Sequence, residues 1–280
     1  MLFIHLSDIH FRYGTSNTSY DLDDVIRHEL MLDAVSECRR LGGVYGVLIT
    51  GDIAFAGKAN EYTIAYNWLD ELCRSTGCPF NHVLTVPGNH DVDRSKIKDV
   101  PLARMLHKQL RETPLSELHD AMKVTLENAQ SRDLLFALLE DYNSFATKFG
   151  CCSTASPLYW VRNLPLNDGS ILRLWGLNTV LVSDETDTNK NETGKLLLSN
   201  FQTNFKRDDG VVYLTLGHHP LDWLRDQENV EDWFDKHARI QLFGHRHVQR
   251  VKPIADNIRI GLLLRLQFSS DLKVPLAYSR

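Results

Sequence analysis

Short apolar runs rich in β-branched residues punctuate the chain and read as buried strands: Leu2–Leu6, Val44–Thr50, His82–Val86, Ile171–Leu177, Val211–Leu216 and Ile240–Phe243. Helix-length segments with apolar residues three and four apart lie between the early runs. Leu22–Leu41 is one, with Asp21 or Asp23 as its cap. Asn60–Arg74 is another, with Asn60 as cap and Glu61 in the first turn. Alternation of strand and helix predicts an α/β fold with parallel strands.

From about residue 95 to 150 the rhythm changes. Leu102, Met105, Leu106 and Leu110, then Leu134, Leu135, Leu138 and Leu139, keep helical spacing with no strand between them. This stretch reads as a helical insertion over or beside the core, and as the expected wall of a substrate pocket. Its charges balance. The polar segment Ser183–Lys195 predicts an exposed loop, and "IADNIRIGLLLRLQ" a hairpin around Asp256-Asn257 followed by an apolar run. Residues 1–280 are therefore expected to form a single domain carrying an insertion at about 95–150, either alone or as the N-terminal part of a longer protein.

Composition adds mainly exclusions. A chain of 280 residues with 43% hydrophobic and 24% charged positions can bury a sizeable core. A net charge of -5 offers no general attraction to nucleic acid or anionic membrane. The five cysteines are odd in number, and Cys151 and Cys152 are adjacent, which fits neither a disulfide framework nor a CxxC zinc site. His5 and Asp8 interrupt the first apolar run, so no signal peptide is read there. A cytoplasmic location without membrane association is expected.

The candidate chemistry sits at strand ends. "HLSDIHF" supplies Asp8 and His10, "LITGDIAF" Asp52, "VPGNHDVD" Asn89, His90 and Asp91, "LTLGHHPL" His218 and His219, and "LFGHRHV" His245 and His247. In open α/β folds ligands bind outside the carboxyl ends of strands. Asp8 and His10 are two apart and would point the same way from an extended segment, as would His245 and His247. Asp and His ligate divalent transition metals, and Asn adds a carbonyl oxygen. Seven such residues exceed one tetrahedral site and suit two metals sharing Asp52. Two metals can clamp a phosphoryl group and acidify a bridging water. His90 would then face the substrate, and Asp91 would orient His90. Other histidines read blandly: His5 as packed in the core, and His28, His107, His119 and His237 as solvated on helices. The five tryptophans read mostly as core.

The order Asp-x-His, Gly-Asp, Gly-Asn-His-Asp, His, Gly-His-x-His, running from Asp8 to His247, resembles the calcineurin-like metallophosphoesterase superfamily. The resemblance implies a four-layer α-β-β-α sandwich of two mixed sheets. It implies one metal held by Asp8, His10, Asp52 and His247, and a second by Asp52, Asn89, His218 and His245. His90 matches the family's catalytic histidine, with His218 preferred over His219 as ligand. Arg12, His219 and Arg246 are expected near the substrate. The Gly-Asn-His-Asp and His-His-Pro blocks look like the bacterial cyclic-nucleotide phosphodiesterase branch. The implied activity is hydrolysis of a nucleotide-like phosphodiester through a metal-bridging hydroxide, with two divalent ions (manganese, iron or zinc, manganese favoured). A metal-dependent nuclease is the alternative enzyme, and nucleic acid the less favoured partner. An effector or docking module of a larger protein is the alternative of another class.

Overall fold

Three parallel strands open the fold: β1 (Phe3–Leu6), β2 (Gly46–Thr50) and β3 (Val83–Val86), in the order β1-β2-β3. In this computed structural model the described residues are 1–14, 22–97, 99–154, 157–184, 187, 194–203, 207–247, 250–254 and 257–261. β2 and β3 are buried along their whole length, which is why they read as unbroken apolar runs. Helices α1 (Leu22–Leu41) and α2 (Ala59–Thr76) connect them. α2 begins before the expected Asn60, because Glu61 reaches back to accept from the main-chain N of Lys58 at 3.1 Å and of Ala56 at 2.9 Å.

The second sheet has the order β4-β5-β6-β7-β9-β8. Its strands are β4 (Trp160–Pro165), β5 (Ile171–Gly176), β6 (Val211–Leu216), β7 (Ala238–Phe243), β8 (Arg250–Ile254) and β9 (Asn257–Gly261). β4 and β8 run antiparallel on the two edges and the inner strands are parallel. So the first sheet is parallel and only the second is mixed, a refinement of the expected pair of mixed sheets. β4 has no counterpart among the expected strands. Its Arg162, Asn163 and Pro165 break the apolar signal, and an edge strand tolerates them.

Period-two alternation gives the second sheet two apolar faces. Leu172, Leu174, Leu214, Leu216 and Leu242 share a core with Val47, Ile49, Val83 and α2. Trp175, Tyr213 and Phe243 look the other way, into a core with Leu110, Met122, Leu135 and Phe234. The result is four layers, helix–sheet–sheet–helix. Trp160 Nε1 donates to the Thr85 carbonyl at 2.7 Å, tying the second sheet to the first.

Residues 95–150 hold α3 (Pro101–Glu112), α4 (Leu118–Glu127), α5 (Ala129–Phe136) and α6 (Glu140–Ala146). They divide between layers. α3–α5 cover the outer face of the second sheet, whereas Tyr142 and Phe145 of α6 pack with Tyr62 of α2. α7 (Gln227–His237) joins the α3–α5 layer. His107 on α3, expected in solvent, is buried, with Nε2 3.2 Å from the Leu135 carbonyl. The segment expected as an exposed loop is partly interior: Ser183 and Asp187 are buried against Arg111. Residues 185–186 and 188–193 of that segment, Asp21, Asp256 and the apolar run from Leu262 lie outside the described residues. Among the described residues no helix is long and apolar enough to cross a membrane.

Candidate metal centre

The loops after β1 and β2 are zipped together beyond the strands. Asp8 N donates to Gly51 O at 3.1 Å, His10 N to Asp52 O at 3.0 Å, and Phe11 N to Ile53 O at 2.8 Å. Along these loops the backbone turns left-handed at residues that carry a Cβ: Asp8 (φ 57°), His10 (φ 54°) and Asp52 (φ 53°), matched by His245 (φ 70°) and His247 (φ 48°) after β7. The expected extended geometry is therefore corrected. Asp8/His10 and His245/His247 converge by turning, not by strand pleat. Each such residue costs on the order of 1–2 kcal/mol, and the loop-to-loop hydrogen bonds hold that strain in place. Gly51 (φ 87°) has no room for a side chain, because a Cβ there would lie 2.6 Å from His218 Nδ1. At Gly88 a Cβ would collide with the main-chain N and the carboxylate of Asp52.

Seven donors meet at this end of the sheets. Asp52 Oδ2 lies 3.4 Å from His218 Nε2 and 3.8 Å from His10 Nε2. Asn89 Oδ1 is 3.0 Å from both His218 Nε2 and His245 Nδ1, and those two nitrogens are 3.3 Å apart. His247 Nε2 is 3.8 Å from Asp8 Oδ1. Metal–ligand bonds of about 2.0–2.2 Å place neighbouring donors roughly 3–3.5 Å from one another. Buried Asp8 Oδ1 has no hydrogen-bond partner, a condition a bound cation nearby would relieve. The donor set therefore fits a pair of divalent ions sharing Asp52.

Burial favours the neutral form that ligation needs at two of these imidazoles, His10 and His245. Burial is the main cause that lowers His10 to about 3 and His245 to about 3. Burial opposes charge on His218 too, but Asp52 beside it outweighs burial and raises it to about 9. Burial would raise Asp52, yet His218, His10 and His90 hold it well below the usual carboxylate range. Asp8 is raised, chiefly by burial.

The remaining expected residues divide. His90 lies at the cluster's rim, its ring 4.6 Å from that of His10, and its main-chain N donates to Asp52 Oδ1 at 2.8 Å. Asp91 does not orient it. The Asp91 carboxylate accepts instead from Gly88 N at 2.8 Å, Ala54 N at 2.9 Å, Ile53 N at 3.3 Å and Tyr62 Oη at 2.9 Å. It pins the turn, and burial with Asp52 nearby pushes it up to about 7. The His90 ring is held by the Phe55 carbonyl, 2.7 Å from Nδ1. His219 is fully buried and does not line the cleft. It packs 4.4 Å from the His245 ring, with Nδ1 3.1 Å from Thr179 Oγ1. Arg246 is engaged by Asp222 and does not line the cleft.

That cleft, about 130 Å³, opens beside His10, His90 and His247. Arg12, Phe55, Asp23, Ile26 and Arg27 complete its wall. Among the described residues its lining comes from α1 and the loops after β1, β2, β3 and β7, and not from residues 95–150, where the wall was expected. Phe55 and Trp223, whose ring lies 4.2 Å from that of His245, were missed. The one available signal for Phe55 was an aromatic residue three positions after Asp52, in a loop with no core to fill.

Comparison with known proteins adds the following. The sequence profile of the calcineurin-like phosphoesterase family matches residues 1–249. An uncharacterized metallophosphoesterase-like protein, YydB of Bacillus subtilis (strain 168), is 25% identical over 258 residues, covering 88% of this chain and 48% of that protein. The chain thus spans about half the length of this curated relative. Among solved structures, phosphopantetheinyl hydrolase PptH from Mycobacterium tuberculosis has 15% identity and a TM-score of 0.45, covering 94% of this chain and 89% of that one. A putative 5'-nucleotidase from Staphylococcus aureus, in complex with alpha-ketoglutarate, has 14% identity and a TM-score of 0.44, covering 92% and 48%.

Proposed function

The chain belongs to the calcineurin-like phosphoesterase family, and on that footing we propose that it is a dinuclear metal-dependent phosphodiesterase acting on a small, nucleotide-like ester. One observation carries the reading. Asp52 Oδ2 lies between His10 and His218, and Asn89 Oδ1 lies between His218 and His245, so the donors form two groups that share one carboxylate. Asp8, His10, Asp52 and His247 would hold one ion, and Asp52, Asn89, His218 and His245 the other, manganese being the proposed metal. Ions bound there would supply Lewis acidity toward the phosphoryl oxygens and an activated water.

The protein's own groups do the rest. His90 Nδ1 donates to the Phe55 carbonyl, which leaves Nε2 to meet the substrate: in the imidazolium form it can hydrogen-bond a phosphoryl oxygen or pass its proton to the departing oxygen. Arg12, in the cleft beside it, offers guanidinium N–H donors to phosphate oxygens. The preference for a diester rests on the Gly-Asn-His-Asp and His-His-Pro pattern. A cleft of about 130 Å³ and the net charge of -5 favour a small ester over nucleic acid.

The test is a substrate panel after manganese reconstitution: bis-p-nitrophenyl phosphate, p-nitrophenyl phosphate, cyclic nucleotides, single-stranded DNA and a phosphopeptide. Faster turnover of the small diesters is expected. Preference for the monoester would reject the diester reading, and preference for DNA would make the protein a nuclease. No turnover at all with two metals bound per chain would reject the enzyme.

A further inference from the structure

Phe55 touches two groups of the proposed chemistry from different parts of itself. Its carbonyl holds His90 Nδ1 at 2.7 Å. Its ring carries Arg12, whose guanidinium carbon lies 3.6 Å from the ring centroid. The same ring sits 5.4 Å from the His90 ring and 6.2 Å from that of His10, centroid to centroid. Yet the side chain is 38% exposed at a polar cleft, so burial of apolar surface does not account for it.

The geometry of the Arg12 contact is informative. A guanidinium held against a ring by its face keeps its in-plane N–H donors available, and those donors match a phosphate's oxygens. Among the described residues Arg12 has no carboxylate partner. Arg27, the other cation in the cleft wall, is turned toward Asp24 at 3.6 Å and the Phe11 ring at 5.1 Å. Arg12 and His90 therefore face one small space from a common support.

We propose that Phe55 is a positioning residue: its ring sets the Arg12 guanidinium edge toward the substrate's phosphoryl oxygens, on the side of the cleft where its carbonyl sets His90. The inference rests on the reading of the Asp–His cluster as a phosphoester site. It separates Arg12, which binds, from Phe55, which acts through Arg12. A lysine at position 12 would keep the charge but lose the planar donor edge.

Calorimetric binding of inorganic phosphate to the manganese-loaded chain tests this without requiring turnover. Phe55→Leu keeps the main-chain carbonyl and should weaken phosphate about fivefold to tenfold, with metal content unchanged. Arg12→Gln should do the same, and the double variant should be no weaker than Arg12→Gln alone. Phe55→Tyr should restore wild-type affinity, and Arg12→Lys should not. On a turned-over diester, Phe55→Leu should raise KM by a similar factor and leave the pH profile of kcat in place. Unchanged phosphate affinity in Phe55→Leu, additive losses in the double variant, or no phosphate binding by the metal-loaded wild type would each overturn the proposal. Should Phe55→Leu fail to fold, full phosphate affinity in Arg12→Gln would overturn it equally. Phosphate binding with the expected losses but no hydrolysis of any ester would sink the phosphodiesterase reading and leave this one standing.

Discussion

His90 and Asp52 are joined by a main-chain hydrogen bond, which allows their jobs to be separated. Asp52 Oδ1 accepts from His90 N, while Oδ2 faces His10 and His218. Replacing the His90 side chain leaves that N–H in place. His90→Ala should therefore keep its metals and lose turnover by roughly 10²–10⁴-fold, the usual worth of a general acid. Asp52→Ala removes the shared carboxylate and should lose metal as well. Elemental analysis beside initial rates checks both; equal activity in His90→Ala would remove the histidine from the chemistry. A second residue-scale prediction concerns His107, which burial lowers to about 4. Between pH 6.5 and 4 the unfolded chain takes up a proton that the folded chain refuses, so stability falls as pH drops through that window. The contribution is about 3 kcal/mol at its limit. His107→Gln should flatten the pH dependence of urea midpoints by that part, leaving the shares of His5, also lowered to about 4 by burial, and of His10 and His245, lowered to about 3. The two residues differ in legibility. Asp52 could be read because its block recurs beside four others in order. His107 could not, because helical spacing says which face a residue occupies but not that another helix will cover it.

At the scale of elements, the site depends on loops that leave their strands at once. Gly51 turns between β2 and Asp52 with φ 87°. Gly51→Ala meets two penalties: a left-handed alanine, about 1 kcal/mol, and a Cβ pressed on His218 Nδ1, about 1–3 kcal/mol of overpacking. The expected outcome is a lower melting temperature together with loss of metal, since relieving the clash displaces His218. A variant with full metal content would show that the loop can yield without moving the ligand. The strands themselves were legible because β2, β3 and β6 are apolar runs covered on both faces. α1 matched its sequence span, with Asp23 and Asp24 in its first turn and Arg39 and Arg40 in its last, although Val25, Leu32 and Leu41 turn to solvent. β4 was hidden by its edge position. The left-handed residues were hidden for another reason: Asp and His carry no mark of the φ that the neighbouring loop imposes on them.

For the molecule as a whole, the sequence could place donors at strand ends but not say which layer closes over them. The helical stretch was expected to wall the pocket because it follows directly on Arg94. In the structure α3–α5 instead bury Leu110, Met122 and Leu135 on the far face of the second sheet, and α1 flanks the cleft. Arg111 fastens that outer layer. It donates to the Val182 carbonyl at 2.7 Å and to Asp184 Oδ2 at 2.9 Å, and pairs with Asp187, which is fully buried. Arg225 adds a bond to the Thr113 carbonyl at 2.9 Å just beyond α3. Arg111→Leu would leave the Asp187 carboxylate buried without its cation. Breaking such a pair from one side costs about 3–5 kcal/mol, or on the order of 10 °C in melting temperature for a chain of this size. Because no part of α3–α5 lines the cleft, the folded fraction should keep its metals, its KM and its kcat. Urea unfolding and steady-state kinetics on the same preparation decide the matter. A rise in KM with little loss of stability would mean that the outer helices reach the substrate after all, and that the division between a catalytic side and a packing side of the second sheet is wrong.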